Sequence, residues 1–144
     1  MKKYDNHLTI TMAAKSQNES LARMVVSAFI SPLDPNLSTL TDIKTAVSEA
    51  VTNSVIHGYK SGEGEIVLTM ALKNGGLSIT VSDQGIGIPN IEQAMEPLYT
   101  TTSPEMERAG MGFTVMESFM DSVNVTSAPG KGTIVEMVKD LTNG

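Results

Sequence analysis

Ile66, Leu68, Met70 and Leu72 alternate with other residues, and so do Leu77, Ile79 and Val81. Asn74, Gly75 and Gly76 lie between the two runs. Alternation with a period of two describes strands with one buried face, and Asn-Gly between them describes a tight hairpin. This pair commits the chain to an antiparallel sheet that something else must cover. The second run ends on Asp83, so the strand's inward periodicity closes on a carboxylate. A buried carboxylate needs hydrogen-bond donors.

The cover comes from helical segments. Ser16 to Ile30 predicts a helix with Leu21, Met24, Val25, Ala28 and Phe29 on its inner side. Prolines within 31–36 break it. Ser38 or Thr39 is the expected cap of a second helix running to about His57, with Leu40, Ile43, Val47, Val51 and Ser54 or Val55 as its apolar stripe and Gly58 as its stop. His7 to Met12 predicts a short first strand. From Gln84 to Ala109 the chain is polar, with a short helix expected around Ile91 to Met95, and long connections are often functional. Gly110 to Met120 predicts a third helix, and Val123–Ser127 with Thr133–Val138 predicts a final hairpin around Pro129, Gly130 and Lys131. The expected fold is α+β: a two-layer sandwich, a mixed but mostly antiparallel sheet with helices on one face, formed as one domain over 1–144.

Composition narrows the function. A formal net charge of −6 argues against a direct nucleic-acid surface. The absence of cysteine excludes thiolate zinc sites, disulfides and cysteine nucleophiles. No uninterrupted apolar stretch approaches the ~18 residues of a membrane span, and the amino-terminal residues lack a secretory signal. A cytoplasmic setting is expected. Most of the ten methionines are expected in the core.

Four motifs occur in order: EAVTNSVIHG at 49–58, DQGIG at 83–87, GMG at 110–112 and GKGT at 130–133. Glu49 and Asn53 are four apart and share one helix face, which His57 continues. Taken alone, that face reads as solvated. A functional reading gives Asn53 as a neutral oxygen for Mg²⁺ and Glu49 as a base for an attacking hydroxyl. His57 is expected to cap or pack the helix end. Asp83 can accept from an adenine amine, or it can simply close a turn on Gly85. Gly85 and Gly87 permit close backbone approach. Gly110 and Gly112 are expected just before a helix, where free N–H groups bind phosphate. Thr133 shares the inward face of Val135 and Met137. Arg108 could reach a phosphate or a partner. Arg23, beside Asn18 and Glu19, reads locally as a surface charge.

Together the four motifs resemble the nucleotide-binding fold shared by DNA gyrase B, the Hsp90 chaperones, histidine kinases and MutL. SEAVTNSVIHGY, EPLYTTTSPEMERAGMGFTVMESFMD and SQNESLAR are similar, more closely, to the anti-sigma F factors of spore-forming bacteria, which are small serine kinases. The resemblance covers nearly the whole chain. It implies ATP and Mg²⁺ as cofactors, with Asn53 on the metal, Glu49 acting on a serine hydroxyl, Asp83 reading adenine and Thr133 near it. It implies that Gly85, Gly87, Gly110 and Gly112 line the nucleotide, with a lid over 97–109 that includes Thr101 and Arg108. It also implies a homodimer, a sigma-factor partner and an anti-anti-sigma protein phosphorylated on serine, with Arg23, Glu107 and Arg108 at partner contacts. Two alternatives remain at this point: a stress-response anti-sigma kinase, and a nonenzymatic ATP sensor that binds sigma factor. An excised histidine-kinase domain is disfavoured because no helix carrying a substrate histidine is expected before residue 1.

Overall fold

The structure is a computed structural model that describes residues 5–60, 62–88 and 104–142, with the backbone alone described over 104–111. Five strands form one sheet: β1 (Asn6–Ala13), β2 (Glu65–Lys73), β3 (Gly76–Asp83), β4 (Ser122–Ser127) and β5 (Thr133–Asp140). Their order is β1-β2-β3-β5-β4, and all four pairings are antiparallel. Among the described residues three α-helices cover one face: α1 (Asn18–Ile30), α2 (Leu37–Asn53) and α3 (Pro104–Phe119). This is the expected α+β sandwich.

The hairpin forms as its sequence dictates. Asn74 and Gly75 both take positive φ, 52° and 81°, the backbone of a two-residue primed turn that matches strand twist. Ile66, Leu68, Met70, Leu72, Leu77, Ile79 and Val81 are all buried. The opposite sheet face carries Thr9, Ser78, Glu136 and Val138, which are exposed. Met12, Met70, Met116, Met120 and Met137 fill the core, while Met24 stands in solvent.

The first helix departs from expectation. Its buried side is Ala22, Val26, Phe29 and Ile30, whereas Leu21 and Met24 are exposed. Ala22 is fully buried where the larger Leu21 and Met24 are not, so the buried stripe is turned by about one residue from the expected one. The cap of α2 is also earlier than expected: Asn36 Oδ1 accepts from Thr39 N at 2.8 Å. Within α2, Ile43, Ala46, Val47, Ala50 and Val51 are buried. The α-helix ends at Asn53, and Ser54–Gly58 form a π-turn closed by Tyr59 N donating to Ser54 O at 3.0 Å. His57 therefore leaves the α-periodicity that stacks Glu49 under Asn53.

The third helix begins at Pro104, so Gly110 and Gly112 lie inside it and not ahead of it. Proline costs nothing in a first turn, where its missing N–H has no intrahelical partner. Two glycines weaken a helix by about 1 kcal/mol each, which packing against α2 can offset. The expected free N–H groups at a helix start are thus absent at those two glycines in this structure. The expected helix around Ile91 to Met95 lies outside the described residues.

Candidate functional site

The inner sheet face is apolar until its last row. There the register aligns Ile66, Asp83, Thr133 and Ser127 across four strands. Three of these four are polar, and the end of α2 packs over them. Asp83 is 3% exposed, and its carboxylate accepts three hydrogen bonds. Its Oδ2 takes the Ser54 hydroxyl at 2.7 Å, and its Oδ1 takes Gly85 N at 2.9 Å and Thr133 N at 3.2 Å. The turn expected with Gly85 forms, yet the carboxylate does more than close it. The π-turn delivers Ser54 to this carboxylate, because the widened turn brings a hydroxyl of α2 over β3. The sequence places Ser54 only on the apolar stripe of α2, with no sign of this bond.

Close backbone approach holds the surrounding loops. A Cβ on Gly58 would lie 3.0 Å from Asp83 Oδ2, and one on Gly85 would lie 2.2 Å from Gly58 O. Gly87, at φ +77°, and Gly132, at φ +76°, have the same constraint, with Cβ positions 2.0 Å from Ala128 O and 2.1 Å from Asp83 O. No side chain fits at Gly85, Gly87 or Gly132, so these three glycines let the DQGIG and GKGT loops close around Asp83. Ser127 completes the set: its hydroxyl donates to Gly132 O at 2.7 Å and accepts from Ile88 N at 2.8 Å. Its one proton being used, the 2.9 Å contact with Thr133 is donated by Thr133. Tyr59 pins the start of the same loop, accepting Gln84 N and donating to Glu65 O, each at 2.7 Å.

The second cluster lies on α2, facing α3. A Cβ on Gly112 would lie 3.0 Å from Asn53 Nδ2 and 3.2 Å from Glu49 Oε2. Gly112 therefore lets α3 close onto both side chains, which are half-buried instead of fully solvated. Burial, followed by the charge of Glu19, raises the Glu49 pKa above the usual glutamate value. Asn53 Nδ2 is buried without an acceptor among the described residues. An orphaned buried donor is costly and marks a site that a ligand oxygen can complete. The amide oxygen of the same side chain is a hard donor of the kind magnesium accepts. Among the described residues no three His, Cys, Asp or Glu side chains gather as a metal cage. A single neutral amide oxygen fits a metal that keeps waters and phosphate oxygens and takes only one or two protein ligands.

Arg23 is not the lone surface charge its local sequence implies. Nη1 pairs with Glu19 Oε1 and donates to Ser48 Oγ at 3.2 Å, and Nη2 donates to Ser20 Oγ at 3.1 Å. Glu19 also accepts from Ser48 Oγ, and from Thr52 Oγ1 at 3.1 Å. Burial alone would raise the Glu19 pKa, but the hydroxyls of Ser48 and Thr52 and the Arg23 cation together lower it. Glu19, Ser48 and Thr52 escaped sequence reading. Spacing on α2 offered a signal, since Ser48 and Thr52 are four apart and each precedes a candidate site residue. Thr101 lies outside the described residues. Glu107, Arg108 and Gly110 fall on the described backbone of α3, and the side chains of Glu107 and Arg108 lie outside the description.

Residues 12–139 match the family described as histidine kinase-like ATPase domain. The chain is similar to an anti-sigma F factor of Clostridium kluyveri, 58% identical over 136 residues, covering 94% of this chain and 95% of the relative. An anti-sigma F factor of Bacillus licheniformis is 51% identical, covering 95% and 94%. One from Clostridium perfringens is 56% identical, covering 95% and 98%. A solved structure of RsbU and RsbW domains from Mycobacterium tuberculosis shares the fold, with a TM-score of 0.66 at 22% identity, over 94% of this chain and 32% of that one. An ATPase domain implies ATP binding, and the polar end of this sheet supplies groups suited to it. By sequence and by fold, the chain belongs to the anti-sigma F factor family, built on the histidine kinase-like ATPase domain.

Proposed function

We propose that this chain binds a sigma factor and uses Mg²⁺-ATP to phosphorylate a serine of an anti-anti-sigma protein, working as a homodimer in the cytoplasm. The observation that carries the reading is the adjacency of two polar clusters at the carboxyl end of α2, Glu49 and Asn53 facing α3 and, in the π-turn that follows, Ser54 on Asp83. Magnesium–ATP, when bound, supplies the phosphoryl group and neutralises its charge. Asn53 would hold the metal through its amide oxygen, and its Nδ2 would find in a phosphate oxygen the acceptor it lacks. Asp83 would accept from the adenine amine, with Thr133 beside it. Its existing donors fix the carboxylate in place, so little ordering is left for binding. Gly85, Gly87, Gly110 and Gly112 would let backbone and helix approach the nucleotide. Thr101 and Arg108 are assigned to the nucleotide, and Arg23, Glu107 and Arg108 to partner contacts, by family resemblance alone. Glu49 would take the proton from the serine hydroxyl as its oxygen bonds to phosphorus and ADP leaves. A carboxylate with a raised pKa is the stronger base for that step.

The reading is tested by incubating the chain with labelled ATP, Mg²⁺ and an anti-anti-sigma protein, beside Asn53→Ala. Label should reach a serine with the natural chain. Asn53→Ala should lose at least about a hundredfold in transfer, since one metal ligand and one phosphate donor vanish together. Label on no serine, or full transfer by the variant, would refute it.

A further inference from the structure

Glu19 has two sets of contacts that no assigned role uses. Toward α1 it pairs with Arg23. Toward α2 it accepts from Ser48 and Thr52, the residues immediately before Glu49 and Asn53. Its charge is near enough to Glu49 to act on it. Arg23 also spends Nη1 on Ser48 and Nη2 on Ser20, so the guanidinium is held in one pose. The pair is nonetheless reachable, with side chains 34% and 30% exposed for Arg23 and Glu19. A guanidinium carries five N–H groups, and the contacts named here use three, so a carboxylate arriving from outside has donors to engage.

We propose that Glu19 is a positioning residue that couples Arg23 on α1 to the nucleotide end of α2. While Arg23 holds it, its charge is partly offset. An acidic group of a protein partner that draws Arg23 away leaves that charge facing Glu49 and the phosphates. Partner engagement at Arg23 and nucleotide affinity are then linked, and the linkage is reciprocal. The inference rests on the proposed nucleotide site.

Calorimetry with Mg²⁺-ATP on the full chain tests it without any partner. Arg23→Met mimics the withdrawn cation and should weaken binding ~3–10-fold, the scale of one uncompensated charge near a triphosphate at partly screened distance. Arg23→Lys keeps the charge and should stay within about twofold of the natural chain. In a Glu19→Gln background the amide oxygen still accepts from Ser48 while the new NH₂ can donate to the Thr52 hydroxyl, and Arg23→Met should cost nothing further. A purely structural role of Arg23 would weaken binding equally in both backgrounds, and that result overturns the inference, as does no effect in either. Arg23→Gln replaces Arg23→Met if thermal melts show the latter unfolded. If the natural chain takes up no Mg²⁺-ATP, the functional reading fails and the coupling with it. If it does and the backgrounds do not differ, only the coupling fails.

Discussion

Glu49→Gln should reduce phosphoryl transfer by about 10²–10⁴-fold while Mg²⁺-ATP affinity stays within about threefold. Glutamine keeps the shape of the side chain beside Gly112, where a Cβ would stand 3.2 Å from Glu49 Oε2, so α3 should keep its seat. What is lost is the proton acceptor. The pH profile distinguishes this from a packing defect. Glu49 must be ionised to act, and burial and Glu19 hold its pKa above the usual value. Transfer by the natural chain should therefore fall with acid at a pH higher than an ordinary glutamate would give. The variant's residual transfer should lack that limb. An unchanged profile in Glu49→Gln would assign the limb to another group.

Asp83 gives the second large effect, in two separable parts. Asp83→Ala leaves the Ser54 hydroxyl and the Gly85 and Thr133 N–H groups without their acceptor in a buried place. Each orphaned group costs about 1–3 kcal/mol, so the fold should lose ~3 kcal/mol or more. Thermal melts should fall by roughly 6–12 °C for a domain of this size. Asp83→Asn is gentler on the fold. One amide oxygen still accepts from Gly85 and Thr133, and the Ser54 oxygen can accept from the new NH₂. That NH₂ now meets the adenine amine donor to donor, so Mg²⁺-ATP affinity should fall at least about a hundredfold. An Asp83→Asn chain that melts normally and binds ATP as before would remove Asp83 from adenine recognition.

Much of this site is legible in the sequence because its chemistry sits on strong periodicities. Leu77, Ile79, Val81 and Asp83 alternate without interruption, so a buried acid could be read directly. Glu49 and Asn53 share a face by spacing alone. What spacing cannot show is tertiary. Gly112 closes on that face because α3 starts at Pro104, and no local rule distinguishes a glycine inside a helix from one before it. Ser54 meets Asp83 only because α2 widens into a π-turn, which no residue pattern announces. The α1 stripe was misread because large apolar residues outweigh alanine in a pattern count, yet Ala22 is buried and Met24 is 71% exposed. Arg23 reads as solvated because spacing offers only its neighbour Glu19, while Ser48, which helps hold both, is 25 residues from it.

The two ends of the site stand or fall together in one titration. Calorimetry of the natural chain with ATP, with and without Mg²⁺, and with GTP in place of ATP, tests whether Asn53 and Asp83 hold opposite ends of one nucleotide. Saturable uptake of ATP that requires Mg²⁺ and that GTP does not reproduce is the expected result. Uptake indifferent to the metal, equal uptake of GTP, or none at all would contradict it.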